Sequence, residues 1–323
     1  MTPALDVSVV ICCYTLERYD DLLAAVDSTL AQQPRAGELL VVVDHNPELL
    51  DRLRGDRPDV QAVPNTRTRG LSGARNSALG LVAGDVVAFL DDDAAAESGW
   101  LARLVAPFGD PRVAGTGGRL DPLWEHGRPA WFPHEFDWVV GCSHPGQPAG
   151  GGAIRNPIGA NMAFRTDLLR QAGGFEESMG RVGTLPVGCE ETEISIRISN
   201  QHPDVIFWYA PDAVVRHRVP EARGQWRYYR SRCYSEGLSK AMVRTLGGQE
   251  LGTERTYVRE VLRPAVRREL RAARHGDRTA WQRVGALVGG LGATAVGYAV
   301  GHSRIRLAAR RTAPTAGIPT HYQ

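Results

Sequence analysis

Residues Val7–Cys13 read VSVVICC, an apolar, largely β-branched run with no polar alternation, which predicts a strand buried on both faces. Over residues 20–32 the apolar positions move to Leu22, Leu23, Val26 and Leu30, a helical spacing. Residues 39–43 (LLVVV) predict a second buried strand that ends at Asp44, and a helix follows around residues 48–53. Residues 73–82 predict a further helix, and residues 85–90 (DVVAFL) a strand that runs straight into Asp91, Asp92 and Asp93. Buried strands alternating with helices imply a mostly parallel α/β sheet, whose ligands lie at the carboxyl ends of the strands.

From residue 119 to 152 the pattern breaks down. Trp124, Trp131, Phe132, Phe136 and Trp138 are interleaved with proline and glycine, ending in GQPAGGG, which predicts a long functional loop or hairpin insert. Order resumes over residues 159–175, where Gly173-Gly174 stops a short helix. A helix is expected to begin near Glu190 and turn Ile194 and Ile198 inward, followed by two short strands, 205–210 and 213–216, on either side of Pro211.

Charge divides the chain. Residues 1–220 hold 19 arginines against 29 acidic residues, whereas residues 221–323 hold 18 arginines and the only lysine, Lys240, against seven acids. The expected division is a catalytic domain over 1–220 and a basic, mainly helical extension over 221–323. In the extension, Arg223, Arg227, Arg230 and Arg232 are mixed with Trp226, Tyr228, Tyr229 and Tyr234, which suits either a diphosphate clamp or an interfacial helix on anionic lipid. Residues 284–301 are uncharged, and as a helix would span roughly 27 Å, a little short of the ~30 Å hydrocarbon core. The segment reads either as membrane-associated, with GxxxG at Gly285/Gly289 and Gly297/Gly301, or as a soluble core helix. The basic residues follow no nucleic-acid-binding module, so no nucleic-acid partner is expected. Five cysteines without a CxxC spacing, and no signal-peptide pattern at the N-terminus, point to a cytoplasmic core, and the extension makes the expected location peripheral on the inner face of the cell membrane.

The acid triplet carries the clearest chemistry. Three carboxylates after a buried strand repel one another unless a cation neutralises them. At a strand end Asp91 and Asp93 point the same way, and hard oxygen ligands suit Mg²⁺ or Mn²⁺ shared with a substrate's phosphates. A solvated acidic turn is the competing reading. Asp44, also at a strand end, can accept hydrogen bonds from a base or ribose, or can serve as a turn residue before Pro47; Tyr14 and Thr15 can stack on and bond to the same base. Neither GxGxxG after the first strand nor GxxxxGK[ST] anywhere is present, which argues against a dinucleotide dehydrogenase and a P-loop enzyme.

Taken in order, VSVVICCYT, LLVVVDHNP, GLSGARNSALGLVAGDVVAFLDDD, GANMAFRTDLLRQAGGFEE and GCEETEISIRI resemble glycosyltransferase family 2 over residues 6–220. The resemblance implies the A-type glycosyltransferase fold, with a mostly parallel central sheet flanked by helices. It implies that Tyr14, Thr15 and Glu17 line the nucleoside pocket, with Asp44 on the base and Arg75 by the base or diphosphate. Asp91 would hold ribose or metal, with Asp92 beside it on the donor side, and Asp93 would be the direct metal ligand, completed by His217. Gly159, Ala160 and Asn161 would floor the donor sugar. The family's Glu-Asp pair falls on Glu190 and Glu191. The expected base is an aspartate, so either Glu191 serves with one more methylene or Glu190 takes the role.

The implied reaction is inverting transfer from a nucleotide diphosphate sugar, UDP being the family's commonest carrier, to a hydroxyl of a glycan or lipid-linked acceptor. Metal would stabilise the departing diphosphate. A catalytically degenerate sugar-nucleotide-binding protein and a nucleotidyltransferase on a related fold are the alternatives.

Overall fold

The computed structural model describes residues 5–178, 189–247 and 252–312. The first part of the chain alternates as the apolar pattern predicts: β1 (Val7–Cys13), α1 (Tyr19–Leu30), β2 (Glu38–Val43), α2 (Pro47–Asp56), β3 (Gln61–Pro64), α3 (Leu71–Leu79) and β4 (Val86–Asp91). β1 pairs in parallel with both β2 and β4, and nearly all of its side chains are buried because helices cover both faces of the sheet. Asn46 and Pro47 start α2 in the usual way, the asparagine Oδ1 accepting from the Leu49 N–H at 3.1 Å.

The remaining strands are β5 (Ala94–Ala96), β6 (Val113–Trp124), β7 (Gly152–Ile154), β8 (Asn161–Arg165) and β9 (Ile206–Val219). The sheet order is β3-β2-β1-β4-β8-β6-β9-β5, with β7 on β9. β8 runs antiparallel to β4 and β6, β5 and β7 run antiparallel to β9, and every other pairing is parallel. Strand order reverses between β1 and β4, so the cleft expected of an open α/β sheet opens at the ends of β1, β2 and β4. The register levels those ends: Cys13 lies opposite Val43, and Cys12 opposite Asp91.

Two stretches depart from the sequence expectation. Residues 113–124 form a strand, so the loop-like insert begins only after Trp124. The strand is hidden in the sequence by Gly115, Gly117 and Gly118. Those glycines are there because neighbours press on them: a Cβ on Gly117 would sit 2.9 Å from Pro157, and one on Gly118 would overlap the Asn161 amide and the Ala213 carbonyl. Secondly, the two strands expected around Pro211 are one strand, β9. Its pairing with β6 slips from Gly118↔Ala210 to Arg119↔Val214, and beyond that irregularity β9 also pairs with β5, Ala94 opposite His217.

Helices α4 (Trp100–Val105), α5 (Thr166–Gln171) and α6 (Glu190–Gln201) cover the sheet. Ile194 and Ile198 of α6 are fully buried. The C-terminal part is helical as expected: α7 (Trp226–Gly247), α8 (Gly252–Tyr257), α9 (Arg263–Arg274) and α10 (Arg278–Thr312). α10 lies alongside α7 in the same direction. The Tyr229 hydroxyl donates to the Ala286 carbonyl at 2.8 Å, and a Cβ on Gly301 would press on Ala241 at 2.8 Å. Gly237 and Gly297 are in direct backbone contact with the partner helix. The Gly297/Gly301 pair therefore packs within the chain, while a Cβ on Gly285 would meet nothing. Trp131, Phe132 and Phe136 of the insert meet Trp226 and Tyr229 of α7, so the aromatic insert fastens the extension to the sheet domain.

Candidate active site

The end of β4 sets the site. Asp91 is half-buried and Asp92 and Asp93 are buried. Asp91 ends β4, Asp92 and Asp93 make the tight turn into β5, and the slip in β9 brings His217 opposite Ala94, beside them. Ligand atoms of Asp91, Asp93 and His217 all lie within 4.8 Å of one another, with His217 Nε2 at 3.1 Å from Asp93 Oδ1. Two carboxylates and an imidazole are a donor set that fits Mn²⁺ or Mg²⁺, and the Asp92 Oδ2 buried beside them has no hydrogen-bond partner among the described residues.

Electrostatics separate the two buried aspartates. Burial opposes ionisation of Asp93, but His217, Arg223 and Arg18 outweigh it and hold that carboxyl well below the usual range. Burial dominates at Asp92 and, with the like charges of Asp93 and Asp91, pushes it well up against the pull of Arg18. The arginine contacts are close: Arg18 Nη1 lies 2.8 Å from Asp93 Oδ2 and 3.0 Å from Asp92 Oδ1, and Arg223 Nη2 lies 3.4 Å from Asp93 Oδ2.

A second network runs from β4 to α6. Arg75, 1% exposed on α3, places its guanidinium 3.6 Å from Asp91, 3.0 Å from Glu190 and 3.1 Å from the Gly159 carbonyl, between the rings of Phe89 and Phe175. The sequence resemblance sets Arg75 beside the base or diphosphate; the structure sets it under Gly159, joining the floor, Asp91 and Glu190. Ala160 is buried next to Asp91, whose N–H meets the Ala160 carbonyl at 3.4 Å. Asn161 offers no side chain to the cleft. It is fully buried, accepts from the Trp100 indole at 2.8 Å and donates to the carbonyls of Arg119 and Ala213, so only its backbone can contribute to a floor.

The acids that open α6 sort themselves by partner. Glu193 pairs with Arg197 one turn on, and Glu190 is buried against Arg75. Glu191 makes no side-chain ion pair or hydrogen bond with another side chain among the described residues. Burial first, and then the charge of Glu190, push its pKa up to about 8. Cys189 enters this turn with φ +110°, a conformation that favours glycine and costs roughly 1–3 kcal/mol in other residues.

Around the end of β1, Tyr14 is 52% exposed, and Arg18 lies over its ring at 5.0 Å. Thr15 accepts from the Glu17 N–H at 3.2 Å and caps a 3-10 turn, Leu16–Arg18, leaving Glu17 exposed. Asp44 accepts from the Gly70 N–H at 2.9 Å and from Asn65 at 2.6 Å, and thus organises the loop that enters α3. Sequence reasoning passed over Arg18 entirely and met Arg223 only as one of a group. No local pattern marks them, because their roles come from a turn and a helix start folding onto Asp93.

The family model described as glycosyl transferase family 2 matches residues 8–173. A glucosyl-dolichyl phosphate glucuronosyltransferase of Haloferax volcanii is 35% identical over 80% of this chain and 83% of its own length. Among solved structures, the mannosyltransferase PcManGT from Pyrobaculum calidifontis in complex with GDP-Man and Mn²⁺ aligns over 95% of this chain and 81% of that one, with a TM-score of 0.56 and 18% identity. GalNAc-T7 with UDP, GalNAc and Mn²⁺ aligns over 80% of this chain and 55% of that one, at TM-score 0.52 and 17% identity. At those identities the two structures bear on the fold alone, and the fold is the A-type glycosyltransferase fold. With the family model spanning half of the chain and the Haloferax relative most of it, the chain belongs to glycosyl transferase family 2 and is a glycosyltransferase that draws on a nucleotide-sugar donor.

Proposed function

We propose that this glycosyltransferase moves a sugar from a UDP-linked donor, with inversion, to a hydroxyl of a lipid-linked glycan. The observation that carries the reading is the convergence of Asp91, Asp93 and His217 to within 4.8 Å at the end of β4, with Arg75 linking Asp91 to the helix that bears Glu191. Tyr14 offers an exposed ring for the base, while Thr15, Glu17 and Asp44 form the rim beside it and Gly159 and Ala160 the floor. Glu191 is the base: it takes the proton of the acceptor hydroxyl as that oxygen bonds to the anomeric carbon and the bond to the diphosphate breaks. One displacement inverts the centre. Mg²⁺ or Mn²⁺ held by Asp91, Asp93 and His217 would supply charge to the leaving diphosphate. Glu190, fixed by Arg75, positions the turn that presents Glu191.

The lipid-linked acceptor rests on the Haloferax relative, whose name specifies a glucosyl-dolichyl phosphate. It also rests on α10, where Arg278–Leu307 is long and apolar enough to cross a membrane by length and composition. Trp281, Val288, Leu291 and Val296 are exposed on it, and Arg263, Arg267, Arg271, Arg274 and Arg278 are exposed on α9 and at the start of α10. Because the other face of α10 is committed to α7, a peripheral helix lying on the inner, cytoplasmic face of the membrane is the favoured arrangement. The division at residue 220 is then one of role: residues 1–220 bind and react, and residues 221–323 dock, lending Arg223 to Asp93.

The test is transfer from a panel of nucleotide sugars to a glucosylated polyprenyl phosphate, with and without Mn²⁺, with the new linkage read by NMR. Metal-dependent transfer from a UDP-sugar with an inverted anomeric centre is expected. Retention, or equal transfer in EDTA, overturns the mechanism.

A further inference from the structure

Arg18 touches both halves of the proposed donor site at once. Its Nη1 bridges the buried carboxylates of Asp92 and Asp93, at 3.0 and 2.8 Å, and its guanidinium carbon lies 5.0 Å from the centre of the Tyr14 ring. It therefore supplies positive charge beside the acid triplet and lies over the exposed Tyr14 ring, to which a base would stack. Its anchor is slight: it ends the three-residue turn Leu16–Arg18, and its side chain is 22% exposed, so it has a way out to solvent.

Asp91, Asp92 and Asp93 are met by three guanidinium groups, those of Arg75, Arg18 and Arg223. Because Arg75 is shared with Glu190, Arg18 carries much of the charge compensation at Asp92 and Asp93 when no divalent ion is bound. Arg75 cannot yield easily, because it is enclosed and also holds Glu190. Arg223 reaches Asp93 at 3.4 Å from the turn Glu221–Gly224, whereas Arg18 both bridges two of the acids and lies over the Tyr14 ring. Arg18 is therefore the arginine whose departure would be felt at both sites.

We propose that Arg18 is a displaceable counter-ion that couples metal binding to nucleotide binding. Either ligand alone must break the Arg18 contacts to enter, and the second ligand then finds them already broken. By linkage, a cost shared in this way is positive cooperativity between the two ligands, of the size usual for coupled sites, about 5–150-fold. This rests on the reading of Tyr14 as the base platform and of Asp91, Asp93 and His217 as metal ligands.

The experiment is titration calorimetry of the full chain with Mn²⁺ alone, with UDP alone, and with each in the presence of the other, supported by the EPR signal of free Mn²⁺. The wild-type protein is expected to bind each ligand at least tenfold more tightly when the other is present. In Arg18→Gln, Mn²⁺ alone should bind about tenfold more tightly than in the wild type, and the coupling should fall by about the same factor, leaving only the part that direct contact between metal and diphosphate supplies. Arg18→Lys keeps the charge but not the bridging fork, and should show intermediate coupling. Arg52→Gln removes an exposed arginine that covers Tyr19 instead, and should leave the coupling unchanged. Undiminished coupling in Arg18→Gln overturns the proposal. Weaker binding of UDP in that variant, with or without metal, makes Arg18 a donor ligand and also overturns it. If the wild type binds no Mn²⁺ with UDP, the reading of the whole site falls, and this proposal falls with it.

Discussion

The cleft and the C-terminal helices use charge in opposite ways. In the cleft, Asp92, Asp93, Arg75 and Glu190 are buried and interlocked, each carboxylate facing a guanidinium from another element. On α9 and the start of α10, Arg263, Arg267, Arg271, Arg274 and Arg278 stand in solvent. A buried charge that loses its partner is destabilising by about 3–5 kcal/mol, whereas exposed pairs contribute about 0–1 kcal/mol. The difference teaches where single substitutions speak: loudly at the strand ends, and on the tail only when several act together.

The strongest way to press that comparison is Asp93→Ala. It removes a member of the donor set and leaves His217, Arg18 and Arg223 facing one another. Transfer should be abolished, and calorimetry should show that Mn²⁺ no longer strengthens UDP binding; unchanged affinity would reduce the triplet to a surface turn. Next in size, Glu191→Gln should keep donor binding and lower transfer about 10²–10⁴-fold, while Glu190→Gln should do less, since Glu190 is tied to Arg75. If Glu190→Gln is the dead enzyme, the base lies one residue earlier.

Arg75→Ala should lower unfolding stability by about 3–5 kcal/mol in urea denaturation, because Glu190 is left buried and unpaired. A loss below 1 kcal/mol would mean that the cleft tolerates an orphan charge as the tail does. The pH dependence follows from Glu191, whose pKa is raised to about 8 by burial and by Glu190. A base works deprotonated, so kcat/KM should rise as pH passes about 8 and level off above it, and Glu191→Gln should lose that limb. The smallest effect on chemistry belongs to the tail. Val288→Glu with Val296→Glu should reduce sedimentation with anionic vesicles while leaving transfer to a water-soluble acceptor within about twofold. Deleting α10 would be a poorer test, because Ala286 and Leu287 are core residues.

The same contrast explains what the sequence could disclose. Strands β1, β2 and β4 were legible because burial on both faces writes itself as an unbroken apolar run. The place of the acid triplet at the end of β4 was legible for the same reason, whereas the direction of Asp93 was not, since it lies in the turn to β5, where strand alternation no longer holds. β6 was not, because three glycines that admit Phe207, Pro157 and Asn161 erase its side-chain pattern. Asn161 was legible as a motif residue but not as a buried hydrogen-bonding post, since that depends on Trp100, Arg119 and Ala213 arriving from elsewhere. Arg18 lay beyond reach for the same reason. Its distance from Asp93 along the chain is large, and only the level ends of β1 and β4 bring the two together.

The slip in β9 near Pro211 makes the identity of the residue that joins Asp91 and Asp93 a matter of counting. Arg216, His217 and Arg218 follow one another, and the slip decides which of them meets Ala94 and thereby Asp93. A one-residue deletion at residues 211–213 would turn the downstream half of the strand over and exchange an imidazole for a guanidinium in that slot. Such a change would convert a pocket that welcomes a divalent ion into one that supplies its own cation. On the proposed reading, a single deletion at this point would abolish metal binding without altering a single acidic residue.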